Sequence, residues 1–256
     1  MKAVILSAGQ GKRLLPLTES QPKCLLRLCG RSLLEWQLRG LAANGVEETI
    51  VIVGFAAGAV EAVLAGIDLP GMRVRTLFNP FYRVADNIGS CYVALAEMTG
   101  TFLIVNGDTL FEPAVLATLL TQAEAPVTVT IDRKAQYDAD DMKVCLDGGR
   151  RLRAIGKALP LDSVDGESIG MLMFRGDGGR RFAAAIQAVL REPDGTQRWY
   201  LSAIDRLARS GDGVEAISIE GYQWGEVDFP ADAERARMLV ENWIASNRFS
   251  PLSTLE

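Results

Sequence analysis

Apolar runs of strand length alternate with helix-period stretches through the first half of the chain, and this order limits the possible folds more than any other feature. Parallel neighbours in a sheet need a crossover long enough to hold a helix, so repeated strand–helix–strand units predict an α/β fold with a mostly parallel sheet. Met1–Leu6 reads as a buried strand. Ser32 and Glu35 have capping-box spacing, and Leu33, Leu34, Gln37, Leu38 and Leu41 then keep helical spacing until Asn44-Gly45 stops the helix. Thr49–Val53 is wholly β-branched, as expected of a strand buried on both faces. An Ala-rich helix near Ala56–Ala65, a strand at Met72–Phe78, a helix from Asn87 to Met98, a strand at Phe102–Val105 and a helix at Pro113–Glu124 follow.

Beyond residue 125 the strands become shorter and are punctuated by Gly and Asp turns, at Val127–Ile131, Met142–Leu146, Leu152–Ile155 and Ser168–Phe174. Antiparallel additions to the sheet are expected there. Helices are predicted at Arg180–Leu190 and Leu201–Ala208, strands at Val214–Ser218 and Tyr222–Val227, and a closing amphipathic helix at Ala231–Ile244. Neither a low-complexity linker nor an internal repeat interrupts this order, so residues 1–256 are read as one domain.

Composition removes several chemistries. The chain has 27 Lys and Arg against 32 Asp and Glu, a net charge of −5, which excludes a basic nucleic-acid binder. It has no histidine, so Ser-His-Asp and Cys-His triads, imidazole bases and His-ligated zinc are all excluded. Catalysis would have to run on Asp, Glu, Lys, Arg and hydroxyls. The four cysteines, Cys24, Cys29, Cys91 and Cys145, form no C-x-x-C pair and read as buried free thiols of a reducing compartment. Apolar runs stop far short of the roughly 20 residues a membrane helix needs, so a cytoplasmic protein with no membrane partner is expected.

The loop after the first strand carries the strongest signal. In Leu6-Ser7-Ala8-Gly9-Gln10-Gly11-Lys12-Arg13, the glycines let backbone N–H groups approach an anion, and two cations follow. It is neither a Walker A loop, because one residue separates the glycines, nor a dinucleotide fingerprint, because Leu14 stands where a third small residue belongs. Lys23, after Pro22, can return to the same phosphates from the other side. Asn106-Gly107-Asp108-Thr109 follows the fourth strand, placing Asp108 where open α/β sheets bind ligands and where it could hold a hard cation; an Asx turn or a helix cap before Pro113 is the plainer alternative. In Trp224-Gly225-Glu226-Val227-Asp228-Phe229-Pro230, alternation puts Glu226 and Asp228 on one face, where they could complete a metal site with Asp108; the alternative for Asp228 is an N-cap of the last helix.

Leu6 to Leu26 resembles the signature of the sugar nucleotidyltransferase superfamily, approximately A-A-G-x-G-x-R-L-x-P-L-T-x-x-x-P-K-P-L-L, with departures at Ser7, Lys12 and Cys24. The resemblance implies a three-layer Rossmann-like nucleotidyltransferase fold, with a mixed, mostly parallel sheet flanked by helices. It implies a nucleotide-binding half over residues 1–125 and an acceptor-binding half over 126–256. In that superfamily the G-D pair binds metal and the W-x-[DE]-V/I-D-x-P segment supplies a second carboxylate, here Asp228 with Glu226 as partner. Asn79-Pro80-Phe81-Tyr82 with Asn87 and Ser90, and "MKV" at Met142 followed by "IGK" at Ile155, resemble cytidylyltransferases acting on phosphocholine, inositol phosphate or phosphonates.

The resemblance therefore implies a Mg²⁺-dependent enzyme. A phosphate or phosphonate of a small acceptor attacks the α-phosphorus of a nucleoside triphosphate, with CTP preferred, and pyrophosphate leaves. Arg13, Lys23, Asp108 and Asp228 carry the catalysis, with Asp108 and Asp228 as metal ligands. Leu6, Ser7, Ala8, Gly9, Gly11, Lys12, Asn87 and Ser90 join Arg13, Lys23 and Asp108 as nucleotide contacts. Lys157, Tyr200, Trp224 and Glu226 are the acceptor contacts, with a helix cap as the alternative for Asn87, a solvated surface for Lys157, and core or lid packing for the aromatics. A sugar-1-phosphate transferase using UTP, dTTP or GTP, and a non-catalytic nucleotide-binding regulatory module, are the two rival readings. Superfamily members often dimerise, although no feature of this sequence sets an interface for a homodimer.

Overall fold

A computed structural model describes residues 1–211 and 213–249. They divide into two compact units: Met1–Pro80, Val105–Thr118 and the segment from Tyr222 onward form one, and Phe81–Ile104 with Leu119–Gly221 form the other.

In the first unit, Lys2–Ser7, Glu48–Val53 and Arg73–Phe78 pair in parallel, with Ala3 opposite Thr49 and Thr49 opposite Val74. Ile50, Val51, Ile52 and Val53 are fully buried, as an all-β-branched strand in a parallel sheet should be. The crossover helix is Leu33–Ala43; the Ser32 hydroxyl accepts the Glu35 N–H at 3.1 Å, and Asn44 and the positive-φ Gly45 end it. The other crossover is Ala57–Leu64. A short strand, Thr109–Phe111, which the sequence did not announce, pairs antiparallel with Trp224–Glu226. The last helix, Pro230–Ala245, packs Ala236, Val240 and Trp243 into a core with Leu14, Trp36, Leu110 and Val227. That core includes Leu110 of the short strand pair and Val227, the residue that follows its second strand. Buried Glu112 adds a polar tie: its carboxylate accepts the Gln223 N–H at 2.7 Å and pairs with Arg248.

In the second unit the strands run in the spatial order Leu152–Gly156, Lys143–Leu146, Gly166–Phe174, Val127–Asp132, Val214–Ser218. All pairings are antiparallel except that of the last two, as the shift to short strands predicted. Helices Asn87–Val93, Gly178–Leu190 and Leu201–Ser210 pack here, the first ending five residues earlier than predicted because a 3₁₀ turn at Leu95–Glu97 succeeds it. The core is aromatic: Phe102 stacks on Phe174 at 4.6 Å, and Phe182 meets Tyr200 edge-on at 6.2 Å.

The thiols are free: Cys24 and Cys91 are buried, while Cys29 and Cys145 are only partly so. Burial pushes the Cys24 thiol up to about 12, so it stays protonated and unreactive.

In the second unit two carboxylates share one lysine. Lys134 Nζ lies 2.8 Å from both Glu167 and Asp141. Burial, together with a hydrogen bond to Asp141 and against the pull of Lys134, raises Glu167 from its ordinary 4.5 to about 7. The folded chain then binds more protons than the unfolded chain between those values, so stability falls as pH rises through that window. Denaturation midpoints measured from pH 4.5 to 7 should decline in the parent and flatten in Glu167→Gln.

Candidate active site

The site in the first unit is assembled by three local devices. The first is the loop after Lys2–Ser7, which closes on itself. Gly11 takes φ 78°, Thr18 Oγ1 donates to the Gly11 carbonyl at 2.8 Å, and the Lys23 N–H donates to the Gln10 carbonyl at 3.2 Å. A Cβ on Gly11 would lie 2.8 Å from Lys23 Cβ, so this glycine is needed both for its backbone conformation and for the close return of Lys23. Ala8 is buried while Gly9, Lys12 and Arg13 are exposed.

The second device is the turn at Asn106-Gly107-Asp108. The Gly107 N–H donates to the Leu6 carbonyl at 3.1 Å, next to buried Ser7. Gln37, 1% exposed, donates through Nε2 to the carbonyls of Asn106 at 2.7 Å and Thr109 at 2.8 Å, clamping the turn from both sides. A Cβ on Gly107 would sit 2.5 Å from the Leu6 carbonyl oxygen and 3.0 Å from Ser7 Cα, both backbone atoms. Gly107→Ala is therefore expected to lower stability by about 1–3 kcal/mol and to lower turnover as well, by shifting Asp108. Thermal melting and turnover check this, and an unchanged melting point would contradict it.

The third device is the short antiparallel pair. Its register sets Glu226 opposite Thr109, and the Val227 N–H donates to the Asp108 carbonyl at 3.2 Å, so Asp108 and Asp228 emerge side by side. The helix cap here comes from Asp232, whose carboxylate accepts the N–H groups of Asp228 at 3.0 Å and Phe229 at 2.7 Å. The Asp228 carboxylate is thereby left for other work.

Lys23 Nζ bridges the two carboxylates at 2.7 Å from Asp108 Oδ2 and 2.7 Å from Asp228 Oδ1. Arg13 reaches Asp228 Oδ2 at 2.8 Å and lies 5.0 Å from the centre of the Phe229 ring. Burial alone would lower the Lys23 pKa, but the charges of Asp108 and Asp228 outweigh it and hold the ammonium above its ordinary value. Two carboxylates that share one cation at these distances are close enough to share another. Asp108 Oδ1 is buried with no hydrogen-bond partner, so an acceptor is left over on the inner side of the pair. Such a set of hard oxygens fits magnesium, which takes few protein ligands.

Other expectations are redistributed. Glu226 does not add a third carboxylate, and among the described residues no group of three His, Cys, Asp or Glu is placed to hold a metal ion. The strand ends at Glu226, so alternation does not carry on to Asp228, and Glu226 stays exposed. Trp224 sits in the same strand, opposite Phe111. Tyr200 is 0% exposed and packs on Phe182, so its ring belongs to the core and presents no face to an acceptor. Asn87 and Ser90 lie in the second unit. The cap of their helix is Asp86, while Asn87 Oδ1 accepts the Tyr200 N–H at 2.8 Å and Ser90 is buried. Lys157, also in the second unit, lies 3.2 Å from Asp140 and 4.7 Å from the Trp199 ring centre. Lys143 is 3% exposed and donates to the Lys157 carbonyl at 2.9 Å.

Comparison with known proteins adds the family. Residues 3–163 match the profile described as MobA-like NTP transferase domain. The chain belongs to this family. Within it, this NTP transferase domain is 29% identical over 244 residues to the CMP-5'-(3-aminopropyl)phosphonate synthase of Streptomyces rubellomurinus, covering 92% of the chain and 38% of the relative. It is 31% identical over 254 residues to the bifunctional IPC transferase and DIPP synthase of Rubrobacter xylanophilus, covering 98% of the chain and 54% of the relative. The chain thus spans about half or less of these curated relatives. The solved inositol-1-phosphate CTP transferase of T. maritima superposes with a TM-score of 0.77 at 21% identity, over 94% of this chain and 96% of that one. The Rossmann-like nucleotidyltransferase fold, with helices against a mixed sheet, is therefore established. Among the described residues, no helix is long and apolar enough to cross a membrane.

Proposed function

We propose that this NTP transferase domain transfers CMP from CTP to a phosphate or phosphonate oxygen of a small acceptor and releases pyrophosphate. The observation that carries the reading is the convergence of Lys23 on Asp108 and Asp228, both at 2.7 Å, with Arg13 on the outer oxygen of Asp228. CMP in the name of the Streptomyces rubellomurinus relative and CTP in that of the T. maritima structure support CTP.

The acceptor oxygen is ionised near neutral pH and needs no general base, which suits a chain without histidine. What the reaction requires is that two anions be brought together and their repulsion screened. Lys23 and Arg13 supply that screening on the triphosphate, neutralising charge as it grows on the departing pyrophosphate. The glycine turn at Gly9–Gly11 lets backbone N–H groups come close to the phosphates. Asp108 and Asp228 would hold a magnesium ion, which when bound draws charge from the α-phosphate. Gln37 keeps Asp108 in register by holding the carbonyls on either side of it.

Pyrophosphate release from CTP, UTP, dTTP and GTP, each with phosphocholine, inositol phosphate, an aminoalkylphosphonate and glucose-1-phosphate, tests the reading. CTP with a small ester or phosphonate should dominate. Release that depends on glucose-1-phosphate with UTP would overturn it, and so would absence of release from every pair.

A further inference from the structure

The strand pair that brings Asp108 and Asp228 together is only three residues long on each side, Thr109–Phe111 against Trp224–Glu226. A two-stranded ladder of that length has little to hold its register by itself. A slip of one residue moves one strand along the other by about 3.4 Å, farther than the 2.7 Å at which Lys23 holds each carboxylate. The site therefore depends on what fixes the two ends of the pair.

One end is the Val227 N–H on the Asp108 carbonyl at 3.2 Å, beside the carboxylates themselves. The other end is Glu112 against Gln223. The Glu112 N–H donates to the Gln223 carbonyl at 3.1 Å, and the return bond runs from the Gln223 N–H to the Glu112 carboxylate at 2.7 Å. Glu112 is 2% exposed, so its charge needs a partner, and Arg248 supplies one. Gln223 is fixed a second time, because its Oε1 accepts the Trp243 Nε1–H at 2.6 Å.

Arg248 reaches Glu112 through the way the last helix ends. Asn247 takes φ 55°, the Arg248 N–H donates to the Trp243 carbonyl at 3.0 Å and the Asn247 N–H to that of Ile244 at 3.2 Å, which is a Schellman turn. The turn reverses the chain, so Arg248 meets Glu112 while the Phe249 ring packs on Trp243 and Trp36, with ring centres 5.6 and 5.1 Å apart. Trp36 directly precedes Gln37, the clamp on the Asp108 turn. All of these groups belong to the first unit.

We infer that Glu112, with Arg248 as its counter-charge, is a positioning residue for the two aspartates: it sets the register of the strand pair from the end opposite the carboxylates. The inference rests on the reading of Asp108 and Asp228 as the carboxylates that serve the transfer, while the register itself is measurable without nucleotide.

Amide hydrogen exchange of the Val227 N–H, followed by NMR on the free protein, reads the register at the aspartate end. In Glu112→Ala the Gln223 N–H loses its acceptor, and Val227 should exchange about tenfold faster than in the parent, measured relative to the buried amide of Ile52. Glu112→Gln keeps an acceptor oxygen and needs no counter-charge, so it should hold that ratio within about threefold of the parent. Arg248→Met leaves the buried carboxylate unpaired and should resemble Glu112→Ala. Val60→Ala, a core change elsewhere in the same unit, should lower the melting temperature and leave the ratio unchanged. In Glu112→Ala, kcat with CTP should fall about tenfold while KM for CTP changes by less than about threefold, because Lys23, Arg13 and the glycine turn belong to another segment. Unchanged Val227 exchange in Glu112→Ala, or unchanged kcat once that exchange has risen, would overturn the inference. Should Glu112→Ala not fold, equal exchange in Glu112→Gln and Arg248→Met would overturn it instead. If the parent releases no pyrophosphate from CTP, the transfer reading fails, and the exchange ratio still decides whether Glu112 sets the register.

Discussion

Asp108→Asn is expected to lower CTP-dependent pyrophosphate release by about a hundred- to a thousandfold, the usual scale for removing a fixed charge aimed at a reacting phosphoryl group. The amide preserves the shape of the side chain and the turn survives, because Gln37 and Val227 hold backbone carbonyls and not the carboxylate. What is lost is one of two charges facing Lys23 and the buried oxygen that lacks a hydrogen-bond partner. The circular dichroism spectrum and melting temperature should stay near those of the parent. Turnover within a few-fold of the parent would remove Asp108 from the chemistry.

Lys23→Met has a double signature. Loss of one charge-assisted contact to the triphosphate should weaken CTP use by about 1.5–3 kcal/mol, roughly ten- to a hundredfold in KM. The same change leaves Asp108 and Asp228 facing each other with their shared cation gone, so the free protein should bind Mn²⁺ more tightly than the parent does. Electron paramagnetic resonance of free Mn²⁺ reads this without nucleotide or turnover. Unchanged Mn²⁺ affinity together with unchanged KM for CTP would show that the lysine is not the counter-ion of the pair.

Much of the fold could be read along the chain because the signals were local. The β-branched run at Thr49–Val53 and the capping box at Ser32 and Glu35 announce their elements within a few residues. The strand Thr109–Phe111 could not be read this way. Three residues give no periodicity, and its partner at Trp224–Glu226 comes from the far end of the chain. The register of that pair is what brings two separate acidic motifs together: the motifs led to the expectation that Asp108 and Asp228 meet, but not to the strand pairing that makes them do so. Gln37 did leave a mark, as the polar member of an otherwise apolar stripe, and it proves to be the clamp on the Asp108 turn. Adjacent aromatics were harder to assign. Trp199 and Tyr200 follow one another, yet Trp199 is 39% exposed and Tyr200 is in the core, a choice made by helix packing and not by residue type.

The most direct test is a crystal structure of this domain with a non-hydrolysable CTP analogue and magnesium. A single metal ion bound by both Asp108 and Asp228 is expected, with Lys23 and Arg13 moved onto phosphate oxygens. A nucleotide bound with neither aspartate on the metal, or with Lys23 still bridging the two carboxylates, would contradict it.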